Sequence, residues 1–218
     1  MYYKEWIKTK WFYLVAALTL LGFSAYNLLN LSRVIEIKGA EHIWEVAITR
    51  DAIFIQNITY LPLLIAVAAA ITQYVPEMIQ KRLKLTMHLP VSYVRSMFSM
   101  QAYGLGVLTL MFAVNLAVLY TGLSYFFTTE IVKHIMLTAV EWHLAALIAY
   151  PLTAWVVLEP TWKVRVADIF ISAAIMRYFF AESQPEAYNK WLLPMVLLVL
   201  IFTLLPILSA TRFKEGVE

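Results

Sequence analysis

The sequence contains no cysteine, which excludes a disulfide framework, a thiolate metal site and a catalytic thiol. Charge is also scarce, since only 14% of the 218 residues are Asp, Glu, Lys or Arg. The six glycines do not form the G-x-x-x-x-G-K-[ST] loop that cradles nucleotide phosphates. The sequence therefore offers no such loop for a bound nucleotide.

What the sequence has in abundance is apolar surface, with 62% hydrophobic and 15% aromatic residues. Soluble domains are about half apolar and about a quarter charged. A membrane-crossing helix needs about 20 mostly apolar residues. We therefore predict an all-α polytopic membrane protein that forms a single domain over 1–218. The six predicted spans are 12–31, 53–75, 98–125, 136–158, 166–181 and 191–210, of which the fifth is short and carries charge.

The segment before the first span has an amphipathic pattern of its own. Tyr3, Ile7 and Trp11 recur at a spacing of four, while Lys4 and Lys8 lie off that stripe. An apolar stripe beside basic residues is typical of a helix that lies in the membrane interface. We predict an interfacial helix that leads into the first span.

The distribution of basic residues predicts the orientation. Under six spans, eleven of the seventeen lysines and arginines share the side of both termini, and five lie on the opposite side. Cytoplasmic loops carry the excess of Lys and Arg. We therefore expect both termini in the cytoplasm.

The connection between the second and third spans, 77–95, predicts a short cytoplasmic helix. Ile79, Leu83 and Met87 recur at a spacing of four and so share one face. Pro90 disfavours helical geometry at the residue before it and ends this helix. An apolar-faced helix on the cytoplasmic side suits a soluble partner, although a basic loop resting on anionic lipid is the alternative.

Two further residues define the ends of this connection. Pro76 suits the first turn of a helix, where its missing N–H is not needed. Ser92 is a good N-cap for the third span, because its side chain can accept a hydrogen bond from a free N–H. We refer to 77–95 as the coupling segment.

The run "LPVS" (Leu89 to Ser92), followed by Arg95 behind the second of six spans, resembles type-2 ABC transporter permeases. The resemblance implies that this segment is the coupling helix that docks into an ABC ATPase subunit, and that the N-terminal helix is the family's elbow helix. The upstream Glu-Ala-Ala and glycine of importer permeases are absent, which favours export. The residues implied in ATPase coupling are Ile79, Leu83, Met87, Leu89, Pro90, Ser92 and Arg95.

The same resemblance implies the partners and the location. ATP and Mg would be bound by the partner ATPase, and this chain would hold no catalytic residue, cofactor or metal. A second permease protomer, identical or related, would complete the transporter in the bacterial cytoplasmic (inner) membrane. Nucleic acid is not an expected partner.

Several polar residues inside the predicted spans are candidates for a transport cavity. Arg177 lies eleven residues into the fifth span, near mid-bilayer if that span starts at its predicted boundary. Arginines at such depth usually face the protein interior. We predict that Arg177 faces a cavity between protomers and pairs with Glu141, Asn57 or Asn115. Alternatively, Arg177 snorkels to the outer headgroups beside Glu182.

Pairs of small residues at a spacing of four predict close helix packing in the third span. These pairs are Ala102 with Gly106 and Ala113 with Ala117.

Two histidines keep an alternative function open. His134 and His143 lie near the start of the fourth span, and imidazole is a common metal ligand. There is no H-E-x-x-H motif, and a gap of nine residues does not keep the two histidines on one helix face. The alternative function is a non-transport membrane anchor or a haem-binding subunit of a membrane complex.

Overall fold

The computed structural model describes residues 2–49, 53–79, 92–182 and 184–215. All regular secondary structure in these ranges is helical. The α-helices, numbered in chain order, are α1 (Tyr2–Lys38), α2 (Ala40–Thr49), α3 (Leu61–Ile79), α4 (Tyr93–Leu123), α5 (Thr129–Leu158), α6 (Trp162–Phe179), α7 (Leu192–Phe202) and α8 (Leu205–Glu215). Short 3-10 turns cover Gln56–Ile58 and Asn189–Trp191.

Among the described residues, five helical segments are long and apolar enough to cross a membrane. They are α1, Gln56–Ile79, α4, α5 and Asn189–Arg212. The predicted fifth span corresponds to α6, which is not among them. Lys163, Arg165, Asp168 and Arg177 lie within its 18 residues and lower its hydropathy. The prediction of an α-helical membrane protein is supported, whereas the count of six spans is not confirmed.

The helix α1 is continuous over 37 residues, so no break separates the predicted interfacial helix from the first span. At 1.5 Å per residue, α1 is about 55 Å long, well beyond the ~30 Å of a hydrocarbon core. Its buried residues form one seam with spacings of three and four: Glu5, Thr9, Tyr13, Ala16, Leu20, Ser24, Asn27 and Leu31. Half of this seam is polar, while large apolar side chains such as Trp11 and Leu18 are exposed on the other face.

The centre of the bundle is α5, which packs against α3, α4, α6, α7 and α8. Alanines on the two facing helices, including Ala69 on α3 and Ala146 on α5, are fully or almost fully buried. Small side chains let helix backbones approach closely, and this is how membrane helices gain packing contacts.

Contacts between helix ends define two ends of the bundle. Lys4, near the start of α1, pairs with Glu77 in the last turn of α3. Arg212, near the end of α8, pairs with Glu159, the residue that follows α5. Because α3 and α5 run side by side in the same direction, α1 begins and α8 ends at one end of the bundle. We call this end the base and the opposite end, where α5 begins, the top.

Candidate functional site

The structure places only the two ends of the predicted coupling segment. Residues 80–91, and with them Leu83, Met87, Leu89 and Pro90, lie outside the described residues. Ile79 is the last residue of α3 and is 76% exposed. Ser92 and Arg95 are also exposed, at the start of α4. All three lie at the base, before and after the undescribed residues 80–91 of the segment.

The boundary at the start of this segment differs from the predicted one. Pro76 does not begin a new helix, because α3 runs through it to Ile79. Glu77, predicted as the first residue of the coupling segment, belongs to the last turn of the spanning helix and is 1% exposed. The predicted N-cap position of Ser92 agrees with α4 beginning at Tyr93, but its side chain makes no capping hydrogen bond. The helix α3 therefore extends to Ile79, past the predicted end of the second span at residue 75.

Glu77 is buried because two lysines of α1 neutralise it. Its Oε1 lies 3.0 Å from the Nζ of Lys4 and 3.1 Å from that of Lys8. Lys8 also pairs with Glu5 at 2.9 Å within α1. Lys8 and Glu77 are largely removed from water, with 13% and 1% of their side chains exposed. Loss of one partner would strand a buried charge, so this cluster fixes the start of α1 to the end of α3.

A chain of buried hydrogen bonds joins three helices in the middle of the bundle. Ser24 on α1 donates to Oδ1 of Asn115 on α4 at 2.5 Å, and Nδ2 of Asn115 lies 3.2 Å from Nε2 of His143 on α5. The Nδ1 of His143 lies 2.7 Å from the carbonyl oxygen of Ala139. A carbonyl only accepts, so Nδ1 carries the proton and Nε2 accepts from Asn115. The three helices are thus held in one register.

A second buried network joins α3, α4 and α5 nearer the base. Tyr150 donates to Oε1 of Gln73 at 2.6 Å, and Nε2 of Gln73 donates to the carbonyl of Met100 at 2.9 Å. Gly104 on α4 makes room for the Tyr150 ring. A Cβ at Gly104 would lie 2.0 Å from the Tyr150 hydroxyl oxygen and 2.4 Å from Cζ. Glycine is therefore required here by close approach, not by backbone conformation.

The structure does not bring the four candidate cavity residues together within one chain. Arg177 is exposed in the last turn of α6, near the top, and not at the middle of a helix. Glu141 is buried and accepts from the backbone N–H of Tyr188 at 3.0 Å. Asn115 is hydrogen-bonded to Ser24 and His143, and Asn57 donates to Asn27 at 3.1 Å. Arg177 lies near the top of the bundle, and both its pairing across protomers and its contact with headgroups stay predictions.

The small-residue pairs of the third span were predicted to pack closely against another helix, but they make no such contact within this chain. Ala102, Gly106, Ala113 and Ala117 are all exposed within the single chain. A Cβ at Gly106 would meet nothing within 4 Å. The glycine of α4 that permits close helix packing in this chain is Gly104.

The two histidines have separate partners. His143 is buried and belongs to the series of hydrogen bonds that contains Asn115. In contrast, Nδ1 of His134 lies 2.9 Å from Oε1 of Glu186. Among the residues that the structure describes, no group of three or more His, Asp or Glu side chains is arranged to hold a metal ion.

Comparison with known proteins found no matching family model, no matching curated protein and no matching solved structure.

The most informative residues of the base, Glu77 and Lys8, were not predicted as a pair from the sequence. They are 69 positions apart, and their contact depends on how α1 packs against α3. The sequence did contain one indication of charged packing in this region. Glu5 and Lys8 occur among aromatic residues at the start of α1, so one face of this helix carries charged side chains.

Proposed function

We propose that this chain is the membrane-spanning permease subunit of an ATP-driven exporter of the type-2 ABC class. Its role is to couple ATP hydrolysis in partner subunits to the movement of substrate across the membrane. The observation that carries the proposal is the position of the "LPVS" motif. By sequence it belongs to the α3–α4 connection, and Ile79 at the end of α3 and Arg95 in the first turn of α4 are both exposed at the base.

The packing at the base supports this role because it links the connection to the rest of the bundle. Glu77 lies two residues before Ile79 and is fixed to Lys4 and Lys8 of α1. One turn earlier, Gln73 is hydrogen-bonded to Tyr150 of the central helix α5. A partner that pulls on the connection would therefore move α3, α1 and α5 together. Discrete, well-packed elements are what carries such a coupled motion.

The division of labour follows from what the chain lacks. Its sequence has no phosphate-binding loop, so ATP and Mg belong to the partner ATPase. The chain performs no bond chemistry and contributes half of the transport path, which a second permease protomer completes. Both termini and the α3–α4 connection face the cytoplasm in this proposal, because the ATPase is a cytoplasmic protein.

Capture of the partner tests the proposal. The tagged chain is purified from its native membrane in mild detergent, and co-purified proteins are identified by mass spectrometry and assayed for ATP hydrolysis. We expect a protein with a Walker-type phosphate loop. Leu83→Asp and Met87→Asp should reduce its capture, whereas Ile37→Asp, an exposed position at the top, should not.

Two outcomes would contradict the proposal. The first is the absence of any ATPase from the wild-type preparation under conditions in which the chain remains folded. The second is equal capture by all three variants, which would favour a segment that only rests on lipid. A Soret band in the absorption spectrum of the purified chain would favour the haem-binding alternative instead.

A further inference from the structure

A cavity of about 310 Å³ lies at the top of the bundle. Its walls come from the turn that precedes α3, the first half of α5, the end of α6 and the loop that follows α6. This volume is at the small end of the range for ligand sites, which run from about 300 to 1,000 Å³. It therefore suits a small molecule or a single headgroup.

One wall of the cavity carries a buried carboxylate. Glu141 on α5 is 4% exposed and lines the cavity. Its Oε1 accepts the backbone N–H of Tyr188 at 3.0 Å. Its Oε2 accepts no hydrogen bond from any residue that the structure describes. Glu141 thus has one carboxylate oxygen free to pair with a ligand in the cavity, and a ligand that brings positive charge or an N–H would suit it.

Aromatic residues contribute much of the remaining lining, beside the polar residues Gln56, Thr59, Thr138 and Gln184. Tyr60 and Phe180 line the cavity with their ring centroids 5.2 Å apart, and Trp142 and Tyr188 line it from α5 and from the loop after α6. The faces of such rings carry partial negative charge and attract cations, with Trp the strongest.

The charged side chains among the described lining residues are all acidic. A second carboxylate, that of Glu182, lines the cavity, and none of the described lining residues is basic. Glu186 lies nearby but is already paired with His134 at 2.9 Å. Two carboxylates without a lining cation repel anions and attract positive charge.

From this combination, we propose that the cavity binds a small organic ammonium group, with the cation against Glu141 and its alkyl substituents against the rings of Tyr60, Trp142 and Phe180. Aromatic side chains beside a carboxylate around one cavity suit a quaternary ammonium group, which the aromatic faces attract through cation–π contacts. This inference is independent of the proposed exporter function, because it needs only the single chain.

Two sources can supply an ammonium group at this position. One is the headgroup of a choline lipid, because the cavity lies at the end of apolar helices. The other is a free amine from the aqueous phase. Both present the same chemistry to Glu141, so the experiment contains an arm for each.

Calorimetric titration of the purified full-length chain tests the proposal. The probes are tetramethylammonium, choline and 3,3-dimethylbutan-1-ol, a neutral molecule with the shape of choline. We expect the two cations to bind saturably and the neutral analogue to bind at least about tenfold more weakly, since the cation–π and carboxylate contacts require charge.

Two variants identify the site. Glu141→Gln keeps an oxygen that can accept from Tyr188 but removes the charge, and Tyr60→Leu removes one aromatic ring of the lining at a partly exposed position. Each should weaken choline binding by about tenfold. The matched controls are Glu36→Gln and Tyr125→Leu, both exposed and outside the cavity, and neither should change binding.

Choline binding measured in nanodiscs of different lipid composition distinguishes a lipid headgroup from a free amine. If a choline headgroup is the occupant, adding phosphatidylcholine to phosphatidylglycerol discs should compete with soluble choline, and if a free amine is the occupant it should not. The proposal would be overturned by three results: no saturable binding of either cation, equal binding of the neutral analogue, or unchanged binding in Glu141→Gln and Tyr60→Leu when both remain helical and monodisperse.

Discussion

The Nζ of Lys8 lies 3.1 Å from Oε1 of Glu77, across 69 positions of sequence. This ion pair joins the first turns of the longest helix to the last turn of the helix that leads into the α3–α4 connection. Only 1% of the Glu77 side chain is exposed, so its charge depends on α1 remaining in place. The base of the bundle is thus fixed by electrostatics, in contrast to the alanine-rich contact between α3 and α5.

Lys8→Met should therefore destabilise the fold. Removal of one partner from a buried pair costs about 3 kcal/mol. Lys4 is 43% exposed, and Lys4→Met should cost about 1 kcal/mol or less. Unfolding in mixed detergent, followed by circular dichroism, measures both. Lys10→Met, at an exposed lysine of the same helix, is the control. If Lys8→Met were no worse than Lys10→Met, the pair would not hold the base together.

Gly104→Ala should also be destabilising, because its new methyl group would meet the hydroxyl and ring of Tyr150. Overpacking of this kind costs about 1–3 kcal/mol. Gly106→Ala provides a matched control two residues along the same helix, since nothing lies within 4 Å of its Cβ position. That variant should be neutral or slightly stabilising, by up to about 1 kcal/mol. Equal thermal stability of the two variants would show that Tyr150 does not occupy this position.

Asn115 links Ser24 to His143, and Asn115→Ala would leave Nε2 of His143 without its donor. An unsatisfied buried polar atom costs about 1–3 kcal/mol. Asn30→Ala removes a similar amide at an exposed position of α1 and should cost less than about 0.5 kcal/mol. The same unfolding measurement compares the two. Indistinguishable stabilities of the two variants would argue against buried hydrogen bonds from Asn115 to Ser24 and His143.

Arg177 is exposed in the last turn of α6, where a positive charge is favourable at a helix C-terminus. Lysine supplies the same charge, so Arg177→Lys should match the wild type in stability. Arg177→Leu should lose about 0.5 kcal/mol. If Arg177→Lys lowered ATPase activity of the complex while expression stayed constant, a bidentate pairing across protomers would be supported instead.

The absence of native cysteine makes single-cysteine labelling a direct test of orientation. Tyr125→Cys lies at the top at a side chain that is 85% exposed, and Ser92→Cys lies at the base. With a membrane-impermeant thiol reagent on intact cells, the first should label and the second should label only after permeabilisation. Leu108→Cys is fully buried and should remain unlabelled in both states. The reverse pattern would place the base outside and remove the coupling segment from the cytoplasm.

The sequence predicts the helical class because long apolar runs leave few alternatives in a bilayer. Prediction from the sequence fails where tertiary contacts determine the structure, as at some helix boundaries. Pro76 signals a helix start locally, yet the helix continues because Glu77 is held by lysines of α1. The pattern before Trp11 predicts a separate interfacial helix, but no helix-breaking residue interrupts α1. In the first case, the end of the helix is paired with a residue 69 positions away along the chain.

The polar residues show the same limit. A single asparagine or carboxylate inside an apolar run predicts an interior position, and Asn115 and Glu141 are indeed buried. Which atoms they contact cannot be read from spacing, because the partners of Asn115 come from two other helices. The ligand-sized cavity beside Glu141 likewise arises from three separate segments of the chain.

Site-specific photocrosslinking tests the central claim most directly. A photoreactive phenylalanine analogue is placed at Arg95, at the exposed base, or at Tyr125, at the exposed top, and membranes are irradiated before purification. The predicted result is a crosslink from position 95, and not from position 125, to a protein that binds an ATP analogue and contains a Walker-type phosphate loop. A chain that crosslinks to no nucleotide-binding protein from position 95, while the same ATPase is present in the membrane, would contradict the claim that the base docks an ABC ATPase.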